Sequence, residues 1–310
     1  MKKIILFPIF VLMAGFLFGQ DEAIYTHYII NPLLVNPAHA GFPENHRVQM
    51  NVRSQWVGFP GSPRTYGITY GGPIGKTLGL GLAVHSDNVA ALSKYRIQMN
   101  YAFRYTINDF KIAGGFSTEF QNTRLASAGL TNEQIFDQDD QLIDQAVNGI
   151  RVFDASLGFF GTYKERTFAG VSFPNLVSAR LDDIVTESQG GSLFKDFVFM
   201  LGHDFEVDQY DFTIQPSIMM MNVRDVPFGL DFNLKATFLD RKLTAGLLYH
   251  AGRLNGLGVL LGTKLQIFEL YYSYDVSFQQ FQSYNGGSHE VTIGFDFEAA
   301  RRNQGRRLRQ

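Results

Sequence analysis

The chain has 310 residues, with 31 Gly, 29 Phe, 14 Tyr, one Trp and no Cys; charged residues make up 18%, the net charge is -2 and mean hydropathy is -0.06. Without Cys there is no disulfide, thiol nucleophile, zinc–thiolate site or lipoprotein anchor, and the charge balance gives no footprint for nucleic acid. Low charge, many aromatics and Gly, and no apolar run of ~20 residues in the mature chain argue against an ordinary cytosolic enzyme and fit a membrane β-barrel.

The first element is an export signal. Lys2 and Lys3 precede an apolar stretch from Ile4 to Phe18, and Gly19 is a small residue before Gln20. Cleavage is expected after Gly19 or Gln20, which makes 1–19 a signal peptide. Residues 20–45 come before the first strand. They hold Asn31-Pro32 and Asn36-Pro37, two turn signals separated by Leu33, Leu34 and Val35. Two readings are open for this segment: a plug in a barrel lumen, or a periplasmic extension on the barrel rim.

From residue 46 the pattern has period two. Phe228, Leu230, Phe232, Leu234, Ala236 and Phe238 alternate with Gly229, Asp231, Asn233, Lys235 and Thr237. Tyr95, Ile97, Met99, Tyr101, Phe103 and Tyr105 alternate with Lys94, Arg96, Gln98, Asn100 and Arg104. The same arrangement recurs over 268–276 and 290–297. Strands are expected near 46–57, 64–73, 77–87, 92–106, 109–121, 151–162, 165–175, 193–207, 211–221, 226–239, 241–252, 255–266, 268–277 and 288–297. That is an even number, about 14, as closure of a bacterial barrel requires. Many exceed the ~5–6 residues usual for globular strands. The division least marked in the sequence is the one near 266, where no Gly or Pro stands.

The fold class that follows is all-β: a transmembrane antiparallel outer-membrane barrel over 46–297, with a basic tail over 298–310. Short connections at 72–75, 107–109, 163–165, 207–209 and 240–241 are expected to face the periplasm. Long ones at 121–150, 175–192 and 278–287 are expected outside. The polar sets face the lumen, which at this strand number is too wide for side chains alone to fill. The tail from Arg301 carries five Arg and no acid. It reads as a solvated end, or as a contact for anionic headgroups or an acidic partner.

Few residues invite chemistry. Ser288-His289-Glu290 are neighbours on a strand and point to alternate faces, so they cannot cooperate simply. Asp137, Asp139, Asp140 and Asp144 could gather calcium, but lack the Gly and terminal Glu of an EF-hand loop. No catalytic residue, metal site or cofactor is expected. Arg53 has lumenal parity opposite Trp56, and barrel closure would offer it a carboxylate of the last strand, Glu290 or Asp296. Trp56 is placed near the outer end of the first strand as an interfacial anchor or a partner contact. Gly58, Pro60, Gly61 and Pro63 give a rigid turn, with Phe59 inside it, that could dock a partner; turn chemistry alone explains it equally well.

Four motifs in order resemble the PorP/SprF family of type IX secretion membrane proteins. They are Asn31-Pro32-Leu33-Leu34-Val35-Asn36-Pro37-Ala38-His39-Ala40-Gly41; Arg53-Ser54-Gln55-Trp56-Val57-Gly58-Phe59 with Gly61-Ser62-Pro63-Arg64-Thr65; Phe173-Pro174-Asn175-Leu176; and Tyr274-Asp275-Val276 with Gly287-Ser288-His289-Glu290. His39 stands where the family commonly has Tyr. The resemblance implies an integral outer-membrane barrel serving secretion or gliding; with no catalytic constellation in the residues, no enzymatic activity is expected. Its implied partners are outer-membrane lipid, periplasmic peptidoglycan-binding or secretion-ring proteins, and a large secreted surface protein. The alternative is a passive channel for small or hydrophobic solutes, with the N-terminal segment as a hatch. A rim hydrolase is a third reading, without a constellation to support it.

Overall fold

The computed structural model describes residues 25–126, 147–181, 194–207, 211–224, 226–252 and 255–297. The expected signal peptide, the acidic run at Asp137 to Asp144 and the arginine-rich tail lie outside the described residues.

Fourteen strands form one closed antiparallel ring. They are β1 (Arg47–Ser54), β2 (Arg64–Ile74), β3 (Leu78–Val89), β4 (Leu92–Ile107), β5 (Phe110–Leu125), β6 (Ile150–Tyr163), β7 (Thr167–Phe173), β8 (Phe197–His203), β9 (Phe212–Asn222), β10 (Gly229–Phe238), β11 (Leu243–Ala251), β12 (Gly256–Leu265), β13 (Phe268–Ser277) and β14 (Ser288–Asp296). Two short pieces extend this set. Ala179–Arg180 pairs with β6 beyond the end of β7, and Phe205–Val207 continues β8 against β9 after a break at Asp204. Each strand pairs with its sequence neighbour, and β14 pairs with β1 in register from Arg47 opposite Asp296 to Ser54 opposite His289.

The alternation sets which side faces out. On β10, Phe232 and Leu234 are exposed, while Asp231 and Asn233 are buried. On β4, Ile97 and Met99 are about half exposed, while Asn100 is buried in the lumen. Polar inside and apolar outside is the reverse of a water-soluble protein, and it suits a hydrocarbon surround. Among the described residues, clusters of buried apolar side chains form between the inner wall and the N-terminal segment. One cluster is Ala38, Phe42, Ala113, Phe160 and Met200; another is Tyr28, Val198, Met219 and Val223.

The turns at one end are tight. Lys164 and Glu165 both have positive φ, as do Asp240 and Arg241, the conformation that matches strand twist in short hairpins. The turn between β12 and β13 also forms without Gly or Pro, with Gln266 at φ 55°. Asp208 and Gln209 of another expected turn are outside the described residues.

One expected placement is corrected. The first strand stops at Ser54, short of the expected 57, and Trp56 follows it in a turn with φ 48°. Trp56 is therefore past the strand end, and the face parity used to set it against Arg53 does not reach it.

Candidate functional site

Residues 25–45 run through the lumen from one end to the other. At the long-loop end, the Tyr25 hydroxyl lies 2.7 Å from His85 Nδ1 on β3. At the short-turn end, the Asn45 amide donates to Asp296 Oδ2 at 3.1 Å. Three short 3-10 turns lie between, His27–Ile29, Pro32–Leu34 and Pro37–His39. The two Asn-Pro pairs each open one, because proline fixes φ and needs no N–H partner at the first helical position.

Both asparagines hold the segment to the wall. Asn31 donates to Thr69 Oγ1 on β2 at 3.0 Å. Asn36 accepts from its own Ala38 N–H at 3.0 Å, and donates to the carbonyls of Phe159 at 3.0 Å and Val171 at 3.3 Å. The wall makes room for this approach with glycine. A Cβ on Gly158 would fall on Asn36 Oδ1, and one on Gly115 would come within 2.6 Å of Ala38 Cα. A Cβ on Gly79 would fall on the Ala40 carbonyl oxygen. Further down, Arg104 donates to the Gly41 carbonyl and to those of Lys76 and Gly75 at 3.2 and 3.3 Å.

The densest contact is at the seam between β1 and β14. Arg53, 1% exposed, donates through Nη1 to Glu290 Oε2 at 2.8 Å, Asp275 Oδ2 at 2.8 Å and Thr26 Oγ1 at 2.9 Å. Glu290 accepts four donors. Arg53 and the Thr26 N–H reach Oε2; the His27 N–H and the Asn51 amide reach Oε1, at 3.2 and 2.8 Å. A carboxylate has about four such lone-pair sites, so Glu290 is saturated. Thr26 also donates to Asp275 at 2.9 Å, and His27 Nδ1 lies 2.7 Å from Thr292 Oγ1. His27 Nδ1 also lies 3.7 Å from Glu290 Oε1.

The network continues along the wall. Tyr28 donates to Asp231 Oδ2 at 3.1 Å and accepts from the Asn233 amide at 2.9 Å. His250 Nδ1 lies 2.9 Å from Asp231, and its Nε2 lies 3.9 Å from Asp275. The N-terminal segment thus touches strands on every side of the ring.

Of the residues singled out in the sequence, the structure brings Arg53 and Glu290 together. Asp296 lies elsewhere, at the short-turn end, with Lys264 at 3.1 Å and Arg47 at 3.5 Å. Asn31, Pro32, Asn36 and Pro37 lie in the lumen. Trp56, Gly58 and Phe59 sit in the loop between β1 and β2. That loop is fastened to the one before β14: Val57 N–H donates to the Gly287 carbonyl at 2.9 Å, Gly286 N–H to the Val57 carbonyl at 2.7 Å, and Trp56 N–H to Ser288 Oγ at 3.3 Å. Phe59 is 42% exposed there, and a Cβ on Gly58 would meet nothing within 4 Å. Sequence reasoning missed Thr26, His27, Tyr28, Asp231, His250 and Asp275. The inward phase of Asp231 and Asp275 was the available signal.

Two cavities flank the segment. One, about 100 Å³, lies towards the long-loop end and is lined by Tyr25, His85, Arg96, Pro174, Val223 and Val226 among others. The other, about 520 Å³, opens at the short-turn end between Glu44, His46, Lys76 and Arg104. Among the described residues, no group of three or more His, Asp or Glu is placed to hold a metal ion. His289 bonds the outward Tyr272 hydroxyl at 2.8 Å, while Glu290 turns inward, so the Ser-His-Glu run forms no relay.

A family model described as type IX secretion system membrane protein PorP/SprF matches residues 17–295. No curated protein matches the chain. Among solved structures, the outer membrane protein Omp33 of Acinetobacter baumannii is similar at 9% identity and TM-score 0.47, over 82% of this chain and 99% of that one. The P. putida toluene transporter TodX is similar at 9% identity and TM-score 0.48, over 86% and 94%. The CymD monoaromatic hydrocarbon channel is similar at 11% identity and TM-score 0.47, over 90% and 93%.

Proposed function

Because the chain belongs to the PorP/SprF family of type IX secretion system membrane proteins, we propose that it is a non-enzymatic anchor of that machinery in the outer membrane. The barrel holds secretion components, or a large secreted protein, at the membrane. Outer-membrane lipid surrounds its apolar face. On the periplasmic side the partner is a peptidoglycan-binding or secretion-ring protein.

One observation carries the anchor reading over the channel reading. The lumen is occupied by a segment bonded to strands on all sides, with a saturated buried carboxylate at its densest point. Such a segment is a structural part of the wall and a poor hatch, since opening would take from Glu290 two of its four donors, the Thr26 and His27 N–H groups, and from Asp275 and Asp231 the hydroxyls of Thr26 and Tyr28. In this reading Asn31, Pro32, Asn36 and Pro37 form the seal, and Arg53 with Glu290 locks it to the seam. Trp56, Gly58 and Phe59 form a stiff surface loop available to a partner.

The test is an affinity pull-down from gently solubilised outer membranes, with bound proteins identified by mass spectrometry. Recovery of a stoichiometric periplasmic peptidoglycan-binding protein, ring components or one large surface protein supports the reading. A clean monomer that also passes steady current in a planar bilayer overturns it in favour of a channel.

A further inference from the structure

We propose that the outward face of β2 to β6, just beyond the apolar band at the long-loop end, binds a phosphate-bearing lipid headgroup of the outer leaflet. The register sets three outward rows one above another. The lowest is Ile68, Val84, Ile97, Phe120 and Phe153, each opposite the next across its strand pair. Towards the long-loop end follow Tyr66, Ser86, Tyr95, Asn122 and Arg151. The top row is Arg64, Asn88, Ser93 and Arg124, with the Ser93 hydroxyl donating to Asn88 Oδ1 at 2.9 Å. The rows thus pass from wholly apolar, through tyrosines, to polar and cationic. The upper two hold three Arg and no acid, and all three Arg are exposed.

The inward face changes in the opposite sense. Beyond the buried Asp87 and Asp154 it carries Val89, Leu92, Ile150 and Val152. Polar outside and apolar inside is the arrangement of a wall that has left hydrocarbon, so the apolar band ends between the lowest row and the top one. Tyr66 and Tyr95 stand at the crossing, where amphipathic rings belong. Outer-membrane barrels turn their long loops outward, which puts the cations at the headgroups of the outer leaflet. They are confined to this arc: on β10, β12 and β14 the same end presents Leu230, Leu257 and His289. Neither Arg64 nor Arg124 is in an ion pair with a described residue. Their backbones stand three strand spacings apart, about 14 Å. Arg151 is the diagonal neighbour of Arg124. A single ion reaches one end of such a row; a headgroup with more than one phosphate spans it, and each guanidinium can grip a phosphate with two N–H groups.

The test is native mass spectrometry of the detergent-purified protein, with bis-phosphorylated lipid A as probe beside its dephosphorylated form and inorganic phosphate. The bis-phosphorylated form is expected to bind, and the dephosphorylated form at least about tenfold more weakly. Replacing Arg64→Gln, Arg124→Gln and Arg151→Gln together should cost about fivefold for each Arg removed. The three Arg→Lys replacements should keep most of the binding, and Lys242→Gln, exposed at the short-turn end, should match the parent. Equal binding of the two lipid A forms, or of the parent and the triple Gln variant, overturns the proposal. Displacement by inorganic phosphate at equal concentration assigns the row to a free ion and overturns it too. The two lipid A forms are compared on the parent protein, so a variant that fails to fold leaves that outcome standing. The row lies on the outer wall and owes nothing to the anchor reading, so the pull-down and this titration fail separately.

Discussion

Arg53 Nη1 and Glu290 Oε2 meet at 2.8 Å across the strand pair that closes the ring, and the same nitrogen reaches Asp275 and Thr26. One guanidinium nitrogen therefore joins β1, β13, β14 and the lumenal segment. Arg53→Ala would leave two buried carboxylates without their cation. Breaking a buried pair in this way costs about 3–5 kcal/mol in soluble proteins. The variant is expected to lose its folded, heat-modifiable band at a lower temperature in detergent than the parent. Arg53→Lys should recover part of the loss, because all three bonds come from a single nitrogen. Equal melting of parent and Arg53→Ala would remove the seam role.

The glycines of the wall can be tested in pairs of opposite facing. Gly115 faces the segment, and a Cβ there would press on Ala38 backbone; Gly114 faces outward, and its Cβ would meet only the Phe159 ring at 3.6 Å. Gly115→Val is expected to unseat the segment and expose it to protease while the barrel persists. Gly114→Ala should behave as the parent does. Protection of the segment in Gly115→Val would mean that it is not seated against β5.

The strands were legible because a barrel wall sorts every residue by parity. Even the unmarked turn at Gln266 follows from a phase change: Leu257, Val259 and Leu261 face out on odd numbers, Leu270 and Tyr272 on even ones. Arg53 and Glu290 were legible for the same reason, since closure sets β1 against β14. The lumenal segment obeys no such period. Its short 3-10 turns are shaped by the wall they meet, and the contact from Thr26 to Asp275 spans 249 positions. Trp56 was misplaced because alternation does not show where pairing stops. The strand ends there in a left-handed turn that nothing in the residue type announces.

The proposed seal makes a prediction about current. Between Asn36 and Phe42 the segment packs on the wall, where Gly79, Gly115 and Gly158 let its backbone touch the strands, and Phe42 stacks edge-on against Phe160 at 4.8 Å. The cavity towards the long-loop end is about 100 Å³. Purified protein in planar bilayers is therefore expected to show no steady open-channel current. Gly115→Val, which displaces the segment and leaves the ring, should conduct. Steady conductance by the parent protein would mean that the segment leaves the lumen readily. The bonds to Glu290 and Asp275 would then be insufficient to hold it, and the channel reading would replace the anchor.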